Sequence, residues 1–177
     1  MKLIILDRDG VINHDSDNFI KSADEFIPID GSLEAISRLN HAGFSVMVAT
    51  NQSGLGRGLF SIETLNSMHD KLRRLLSAFG GHIDGIFYCP HAPDDQCDCR
   101  KPKPGLFLEI AQRCESDLSK AFAIGDSLRD LQAAEAAGAK PILVKTGKGL
   151  RTLDGNNNIA HIPVYDNLSH FVDNLLM

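Results

Sequence analysis

Short apolar runs alternate with longer stretches of helical periodicity along this 177-residue chain. The apolar, β-rich runs lie at residues 2–6, 44–49, 83–88, 121–124, 141–144 and, more weakly, 162–165. Between most of them, apolar residues recur every three or four positions, as on one face of a helix. Alternation of this kind predicts an α/β fold, a doubly wound parallel sheet with helices on both faces. Its ligand crevice is expected at the carboxyl ends of the strands.

Four helices are predicted from this periodicity and from the residues at their ends. Residues 32–42 form the first, which stops at Gly43, a residue suited to a left-handed cap. Residues 61–79 form the second. Pro104 suits the first turn of a third helix, and a fourth ends at Gly138.

The chain length and the apolar content of 43% are sufficient for one core without disulfide staples. We therefore expect a single domain over residues 1–177. Residues 147–158, which end in three asparagines, predict a mobile surface loop between the fifth strand and the last short strand and helix.

Net charge and terminal sequence limit the class of partner. A net charge of −5 and a pI near 5.7 argue against nonspecific binding to nucleic acid, so the expected partner is a small molecule. Met1 and Lys2 are followed by only four apolar residues before Asp7, too few for a signal-peptide core, and no later run reaches transmembrane length. We expect a cytoplasmic protein without a membrane partner. Because no long exposed apolar stripe is evident, the expected state is a monomer.

Two carboxylates, Asp7 and Asp9, directly follow the first predicted strand. Alone, such a pair is equally typical of a turn or a helix N-cap. Other polar residues stand at equivalent places: Thr50 ends the second strand, Lys101 precedes the third helix, and Asp126 follows the fourth strand. The carboxyl ends of parallel strands share one edge of a sheet, so these side chains are expected to converge.

A converged set of this composition favours phosphoryl transfer assisted by a divalent ion. Asp7, Asp9 and Asp126 would repel one another without a cation, and oxygen ligands favour Mg²⁺. The Thr50 hydroxyl and the Lys101 ammonium suit the equatorial oxygens of a phosphoryl group. Each residue alone has an ordinary structural interpretation, as a strand-end hydroxyl, a solvated lysine or a helix cap.

A second cluster, in C-x-H-x5-C-x-C spacing, predicts a metal site of another kind. Cys89, His91, Cys97 and Cys99 would complete a tetrahedral shell with no open position, as in structural zinc sites. In a reducing compartment such spacing indicates metal more than disulfides. The alternative is a buried strand-end Cys89 and a chance cysteine pair. Lys101 comes two positions after the last ligand, so zinc would fix its loop.

The phosphoryl-transfer residues resemble the four motifs of the haloacid dehalogenase superfamily over about residues 3–144. The matching positions are Asp7-x-Asp9, Thr50, Lys101, and Gly125-Asp126 followed by Asp130.

That resemblance implies a role for each catalytic position. Asp7 is the nucleophile that forms an aspartyl phosphate, and Asp9 protonates the leaving group and then activates water. Thr50 and Lys101 hold the phosphoryl oxygens. The implied magnesium ligands are Asp7, the main-chain carbonyl of Asp9, and Asp126.

Within the superfamily, three stretches are similar to the heptose bisphosphate phosphatases: residues 6–13 (LDRDGVIN), 50–54 (TNQSG) and 97–105 (CDCRKPKPG). Histidinol-phosphate phosphatases are the nearest relatives of that group. The resemblance implies removal of the C7 phosphate from a heptose 1,7-bisphosphate, on the way to nucleotide-activated heptose for lipopolysaccharide core. The alternative substrate is histidinol phosphate or another small phosphate monoester.

Substrate contacts are implied for short elements around the crevice. About two dozen residues separate Asp9 from the first helix, too few for a large cap domain, so the crevice should be open. The planar fork of Arg100 suits a phosphate. Asp15 and Asp17 have the alternative role of solvated turn residues. The positions implied to contact substrate are Asp15, Asp17, Asn18, Asn51, Gln52, Ser53 and Arg100.

Two functions of other classes use part of the same residues. A receiver-like signalling domain would be phosphorylated on Asp7 or Asp9 without turnover, but it needs neither an acid two residues from the nucleophile nor a zinc loop. A zinc-stabilised binding module would bind sugar phosphate without magnesium. The basic group Lys145, Lys148 and Arg151 is expected to be a solvated face.

Overall fold

The computed structural model describes residues 1–155 and 158–177, and in this part of the chain six strands form one parallel sheet. The order is β3-β2-β1-β4-β5-β6, with every adjacent pair parallel. This confirms the doubly wound α/β fold. The strands are β1 (Lys2–Leu6), β2 (Phe44–Asn51), β3 (Gly85–Cys89), β4 (Phe122–Gly125), β5 (Lys140–Val144) and β6 (Val164–Tyr165).

Seven α-helices connect or follow these strands within the described residues. The four predicted helices are confirmed to within a few residues at their ends. The helix predicted over residues 61–79 begins after Ser61, whose hydroxyl accepts a hydrogen bond from the main-chain nitrogen of Thr64 at 3.2 Å. The helices are α1 (Ser32–His41), α2 (Ser53–Gly56), α3 (Ile62–Ala78), α4 (Gly105–Cys114), α5 (Leu128–Ala136), α6 (Gly149–Asp154) and α7 (Leu168–Leu175).

The sheet separates two hydrophobic cores, because successive side chains of a strand face opposite ways. Along β1, Ile4 and Leu6 enter the core shared with α1, α3 and α7. Leu3 and Ile5 enter the other core, with α4 and α5. All four side chains are at most 2% exposed, so β1 is central and buried on both faces. This burial explains the continuous apolar run that predicts it.

The strand order reverses direction between β1 and β4, which are neighbours in the sheet. Connections leave these two strands towards opposite faces, so a crevice opens beyond their carboxyl ends. Asp7 follows β1 and Asp126 follows β4. The main-chain nitrogen of Asp7 donates to the carbonyl of Ile124 at 2.9 Å, which holds the two strand ends side by side.

The prediction of a mobile loop over residues 147–158 is wrong for residues Gly149–Asp154, which form α6. Two hydrogen bonds to Asp126 stabilise this segment. The Asp126 carboxylate accepts from the main-chain nitrogen of Lys148, and the Asp126 carbonyl accepts from the hydroxyl of Thr152, both at 2.8 Å. Hydrogen bonds of this kind cannot be recognised from the spacing of apolar residues. Asn156 and Asn157 lie outside the described residues.

Residues 7–31, between β1 and α1, contain no helix and no strand of the sheet, only turns and isolated bridges. The expectation of no large cap domain is confirmed. None of the described helices is both long and apolar enough to cross a membrane. The assignment of residues 1–177 to a single domain stays a prediction.

Candidate active site

The carboxyl ends of the strands and the loops after them enclose a cavity of about 250 Å³. It gathers nearly all the site residues predicted from the sequence. Asn18 does not line it: this exposed residue has Phe19 and Ile20 beside it in the wall instead. The predicted residues that line the cavity are Asp7, Asp9, Asp15, Asp17, Thr50, Asn51, Gln52, Ser53, Arg100, Lys101 and Asp126.

Lys101 lies at the centre of the buried charges. It is 2% exposed, and its Nζ lies 2.8 Å from Asp130 Oδ1 and 3.2 Å from Asp7 Oδ1. Burial alone would lower the pKa of Lys101, but the carboxylates of Asp130 and Asp7 outweigh it and raise that pKa. The lysine is therefore a fixed positive charge beside Asp7.

Asp7 and Asp126 are acids whose surroundings disfavour two negative charges. Burial, and then the charge of Asp130, raise the pKa of Asp7 to about 7. Burial, followed by Asp130 and Asp7, raises the pKa of Asp126 to about 9. By contrast, the Lys101 ammonium outweighs the effect of burial on Asp130 and holds the pKa of that carboxyl below its usual range. One lysine does not balance three carboxylates.

These carboxylates fit a divalent cation. One oxygen each of Asp7, Asp126 and Asp130 lies within 4.8 Å of the others. Asp130 is already used: Oδ1 accepts from Lys101, and Oδ2 accepts from the main-chain nitrogen and hydroxyl of Ser127 at 3.1 and 3.0 Å. Asp7 and Asp126 are therefore the carboxylates that could hold Mg²⁺, which prefers one or two carboxylates and several waters.

Asp9 also lines the cavity, and two side chains, those of Arg8 and Asn13, donate to one of its oxygens. Oδ1 accepts hydrogen bonds from Arg8 Nε at 2.9 Å and from Asn13 Nδ2 at 2.8 Å. Oδ2 has a longer contact, 3.3 Å, with Gln52 Nε2. The carboxylate is thus anchored through one oxygen and open to the cavity through the other.

The last two residues of β2 and the residue after it supply amide and hydroxyl groups. Gln52 Nε2 donates to the hydroxyl of Thr50 at 3.0 Å, and that hydroxyl donates to the carbonyl of Asn51 over a longer distance, 3.4 Å. The Asn51 amide clamps the main chain of Lys101: Oδ1 accepts from its nitrogen at 3.0 Å and Nδ2 donates to its carbonyl at 3.2 Å. Asn51 therefore positions the lysine loop, and its contact with substrate stays a prediction.

Two arginines that line the cavity, Arg57 and Arg129, were not predicted from the sequence. Both lie near Arg100, whose pKa is lowered by burial and then by the positive charges of Arg129 and Arg57. Arg57 also lies over the ring of Phe19, 5.6 Å from its centroid. Arg129 could have been predicted, because it comes three residues after Asp126, a predicted site residue directly after β4. Three guanidinium groups at one end of a cavity suit an anion.

Across the cavity mouth, the loop after β1 meets the start of α6. Lys148 Nζ pairs with Asp15 Oδ2 at 3.2 Å, and Arg151 pairs with Asp17 at the same distance. The expectation of a solvated face is wrong for Lys148, which lines the cavity, because Asp126 draws its main chain inwards. Asp17 and Arg151 are largely exposed, so their pair is weak.

The predicted zinc ligands converge beside this cavity. Cys89, His91, Cys97 and Cys99 each place one ligand atom within 4.8 Å of the others, and the cysteines are free. The ring nitrogen that faces the sulfurs is Nδ1 of His91, 3.4 Å from Cys89 Sγ and 3.3 Å from Cys99 Sγ. Three thiols and one imidazole fit a structural Zn²⁺ with no open position.

The cysteine cluster is tied to the site residues that follow it. Arg100 Nη1 donates to the carbonyl of His91 at 3.3 Å, and Lys103 Nζ donates to that of Cys97 at 2.7 Å. Burial would raise the pKa of the Cys97 thiol, but hydrogen bonds from the main chain of Arg100 and from the other cysteines lower it to about 6. Burial, by contrast, raises the pKa of the Cys89 and Cys99 thiols, so a bound metal would be what deprotonates them.

Comparisons with known proteins agree with this geometry. A family model described as HAD-hydrolase-like matches residues 98–171. The D-glycero-β-D-manno-heptose-1,7-bisphosphate 7-phosphatase of Bordetella bronchiseptica is 61% identical over 153 residues, which are 86% of each chain. The enzyme of the same name from Neisseria meningitidis is 53% identical over 97% of this chain and 92% of its own.

A solved structure is similar over almost its entire length. It is the D,D-heptose 1,7-bisphosphate phosphatase of B. bronchiseptica, complexed with magnesium and phosphate. The sequence identity is 55%, the TM-score is 0.96, and the match covers 99% of this chain and 98% of the other.

Proposed function

The chain belongs to the D-glycero-β-D-manno-heptose-1,7-bisphosphate 7-phosphatase family, and we propose that it hydrolyses the C7 phosphate of the β anomer of that sugar bisphosphate. The observation that carries the proposal is the convergence of Asp7, Asp9, Lys101 and Asp126 on one cavity. Names and identities of the relatives support the substrate. The product is heptose 1-phosphate, a precursor of nucleotide-activated heptose for lipopolysaccharide core.

The reaction begins with attack of an Asp7 carboxylate oxygen on phosphorus. The bond from phosphorus to the sugar C7 oxygen breaks, and that oxygen takes a proton from the carboxyl group of Asp9. An aspartyl phosphate remains on Asp7. Asp9, now a carboxylate, accepts a proton from water as the water attacks phosphorus. Inorganic phosphate leaves, and the Asp7 carboxylate is restored.

Fixed positive charge and hydrogen-bond donors stabilise the phosphoryl group in both steps. Lys101 Nζ, 3.2 Å from Asp7, neutralises charge on the equatorial oxygens, and the Thr50 hydroxyl donates to them. Asp130 keeps Lys101 in place. The acids make the metal necessary: Asp7, Asp126 and the main-chain carbonyl of Asp9 would hold Mg²⁺, which screens Asp7 from the phosphate dianion.

The second phosphate of the substrate would lie against Arg100. Arg57 and Arg129 extend this positive end of the cavity, and a bisphosphate fits it better than a monoester does. Asp15, Asp17, Gln52 and Ser53 would contact the sugar between the two phosphates. Asn18 is the weakest of these proposals because it lies outside the cavity wall.

The remaining parts of the proposal concern zinc, assembly and location. Zinc at the cysteine cluster would stiffen the loop that carries Arg100 and Lys101. Thiolate ligands require a reducing compartment, which supports a cytoplasmic location. A net charge of −5 supports a small-molecule partner rather than nucleic acid. We propose a monomer that acts without a membrane partner.

The test is phosphate release from the β and α anomers of heptose 1,7-bisphosphate and from histidinol phosphate, each with Mg²⁺ and with a chelator. The proposal predicts the largest kcat/KM for the β anomer and no release with chelator. A larger kcat/KM for histidinol phosphate would assign the chain to that substrate instead. Stable phosphorylation without turnover would favour a receiver-like domain.

A further inference from the structure

Arg8 stands between the two site aspartates in the sequence, but its side chain is buried in the core. It is 0% exposed, its guanidinium lies 5.4 Å from the ring centroid of Phe26, and its Nη1 lies 3.5 Å from Met68 Sδ. A charge in such apolar surroundings is unfavourable unless it is paired and hydrogen-bonded. The position of Arg8 therefore depends on the groups that it pairs with.

The ionic partner of Arg8 is Asp9, the proposed general acid. Arg8 Nε donates to Asp9 Oδ1 at 2.9 Å, and Nη2 lies 2.8 Å from the same oxygen. Asn13 Nδ2 also donates to Oδ1. All three nitrogens lie on one oxygen of the carboxyl group. Among the described residues, the other oxygen, Oδ2, meets only the longer contact from Gln52 on the cavity wall.

A second buried residue, His69 of α3, supports the guanidinium from behind. Its Nε2 lies 3.3 Å from Arg8 Nη1. Burial, and then the positive charge of Arg8, lower the pKa of His69 to about 3, so the ring is neutral and Nε2 can accept from Nη1. Contacts thus run from α3 through His69 and Arg8 to Asp9.

We propose that Arg8, seated on His69, is a positioning residue that anchors Asp9 through Oδ1 and presents Oδ2 to the leaving oxygen. The inference rests on the proposed function and deepens it. The proton passes from Oδ2 to the sugar oxygen as the P–O bond breaks, and the resulting carboxylate keeps its ion pair with Arg8. The same arrangement presents Oδ2 to the water of the second step.

The test compares two substrates that differ in their need for an acid. The alcohol of a sugar phosphate leaves with a proton, whereas the phenolate of p-nitrophenyl phosphate leaves without one. In Arg8→Met, an apolar side chain of similar length replaces the charge beside Phe26 and Met68. We expect kcat/KM to fall about 100-fold for heptose 1,7-bisphosphate and less than about 3-fold for p-nitrophenyl phosphate. Slow water activation should then give a burst of one p-nitrophenolate per enzyme.

Variants of His69 test the support of the guanidinium. His69→Gln keeps an acceptor and should retain most of the sugar phosphate activity. His69→Leu removes the acceptor, so kcat/KM should fall about 10-fold for the sugar phosphate and stay unchanged for p-nitrophenyl phosphate. If Arg8→Met does not fold, this pair gives the same comparison. Leu76→Ala is the structural control, because Leu76 is fully buried two turns further along α3. It should change kcat/KM by the same factor for both substrates.

Equal losses on both substrates in Arg8→Met, or no loss on either, would overturn the inference. So would a crystal structure of that variant with the Asp9 carboxyl group in its original orientation. Failure of the proposed function is distinguishable, since the wild type would then not release phosphate from heptose 1,7-bisphosphate. In that case the loss in kcat/KM caused by Arg8→Met is compared between p-nitrophenyl phosphate and the sugar phosphate that the wild type hydrolyses fastest.

Discussion

Asp130 and Lys101 form a buried ion pair, with Oδ1 and Nζ 2.8 Å apart, and from that support Lys101 reaches Asp7 at 3.2 Å. Both partners are nearly inaccessible to solvent. The other oxygen of Asp130 accepts from the main-chain nitrogens of Asp126 and Ser127, each at 3.1 Å. One carboxylate therefore positions the lysine, the end of β4 and the start of α5 together.

Replacing Asp130 with Asn should damage stability and turnover together. An amide has one acceptor oxygen, so its NH₂ group must face either Lys101 or the main-chain donors. We expect a loss of about 3 kcal/mol in the free energy of unfolding, as for other broken buried pairs, and at least a 10-fold lower kcat. Denaturant unfolding and steady-state kinetics measure these changes.

The matched control is Asp173→Asn, which removes the partner of Arg38 on the exposed surface. Surface pairs contribute less than about 1 kcal/mol, so stability and kcat should stay near wild type. If both variants behave alike, Asp130 has no special role in holding Lys101.

The burial of His69 predicts one acid-sensitive contribution to the stability of the fold. Its pKa is about 3 in the native state, against an ordinary value of 6.5 for an exposed histidine, so between these values the unfolded chain binds the additional proton. The contribution of His69 to the free energy of unfolding therefore falls as pH falls through this window, whereas Asp7, whose pKa is raised to about 7, contributes in the opposite sense. From pH 7 to pH 5 the loss due to His69 is about 2 kcal/mol.

Urea unfolding at pH 7 and pH 5 measures this dependence in the wild type and in His69→Gln. Glutamine does not titrate, so the variant should lose about 2 kcal/mol less over the same pH change. An identical pH dependence in the two proteins would show that His69 is not buried in its neutral form.

Gly147 leaves space for the carboxylate of Asp126. A Cβ at Gly147 would lie 2.2 Å from Asp126 Oδ2 and 2.5 Å from the Cα of Gly10. Gly147→Ala should therefore displace Asp126 and raise the Mg²⁺ concentration needed for half-maximal activity at least about 10-fold.

Gly138→Ala is the control for the backbone conformation. Gly138 also has a positive φ, 82°, but a Cβ there meets no atom within 4 Å. Gly138→Ala therefore carries the backbone strain of a positive φ, about 1 kcal/mol, without a steric clash. Its Mg²⁺ requirement should match wild type, and an increase equal to that of Gly147→Ala would argue against a specific effect on Asp126.

The four cysteines allow a direct test of the zinc site. Cys97→Ser should lower the zinc content from one per chain, reduce the melting temperature and reduce kcat, because the loop carrying Lys101 loses its anchor. Cys114→Ser removes the cysteine outside the cluster and should leave all three unchanged. Metal analysis, thermal unfolding and kinetics give the results. Equal zinc in wild type and Cys97→Ser would refute the ligand assignment.

The parts of the molecule that were predicted from sequence are those with a local signal. β1 is a continuous apolar run because it is buried on both faces, and that run places Asp7 at its end. The zinc cluster has all four ligands within eleven residues, so its spacing could be recognised without a fold. Turn and cap residues marked most helix ends within a few positions.

The missed parts depend on residues distant in the chain. In the sequence, Arg8 resembles a solvated charge between two acids, since its partner His69 is 61 positions away. The segment of α6 has no apolar period and is stabilised by contacts to Asp126. Arg57 lies among Gly54, Gly56 and Gly58, and this local composition carries no signal for an anion site. In each case the determining contact is tertiary, and single-sequence periodicity does not report it.

The most direct test of the central claim is the activity of Asp7→Asn with heptose 1,7-bisphosphate and Mg²⁺, beside its thermal unfolding. Asparagine keeps the size of the side chain but removes the carboxylate that attacks phosphorus. The account predicts a folded protein with no measurable phosphate release. Phosphate release at the wild-type rate would contradict it and remove Asp7 as the nucleophile.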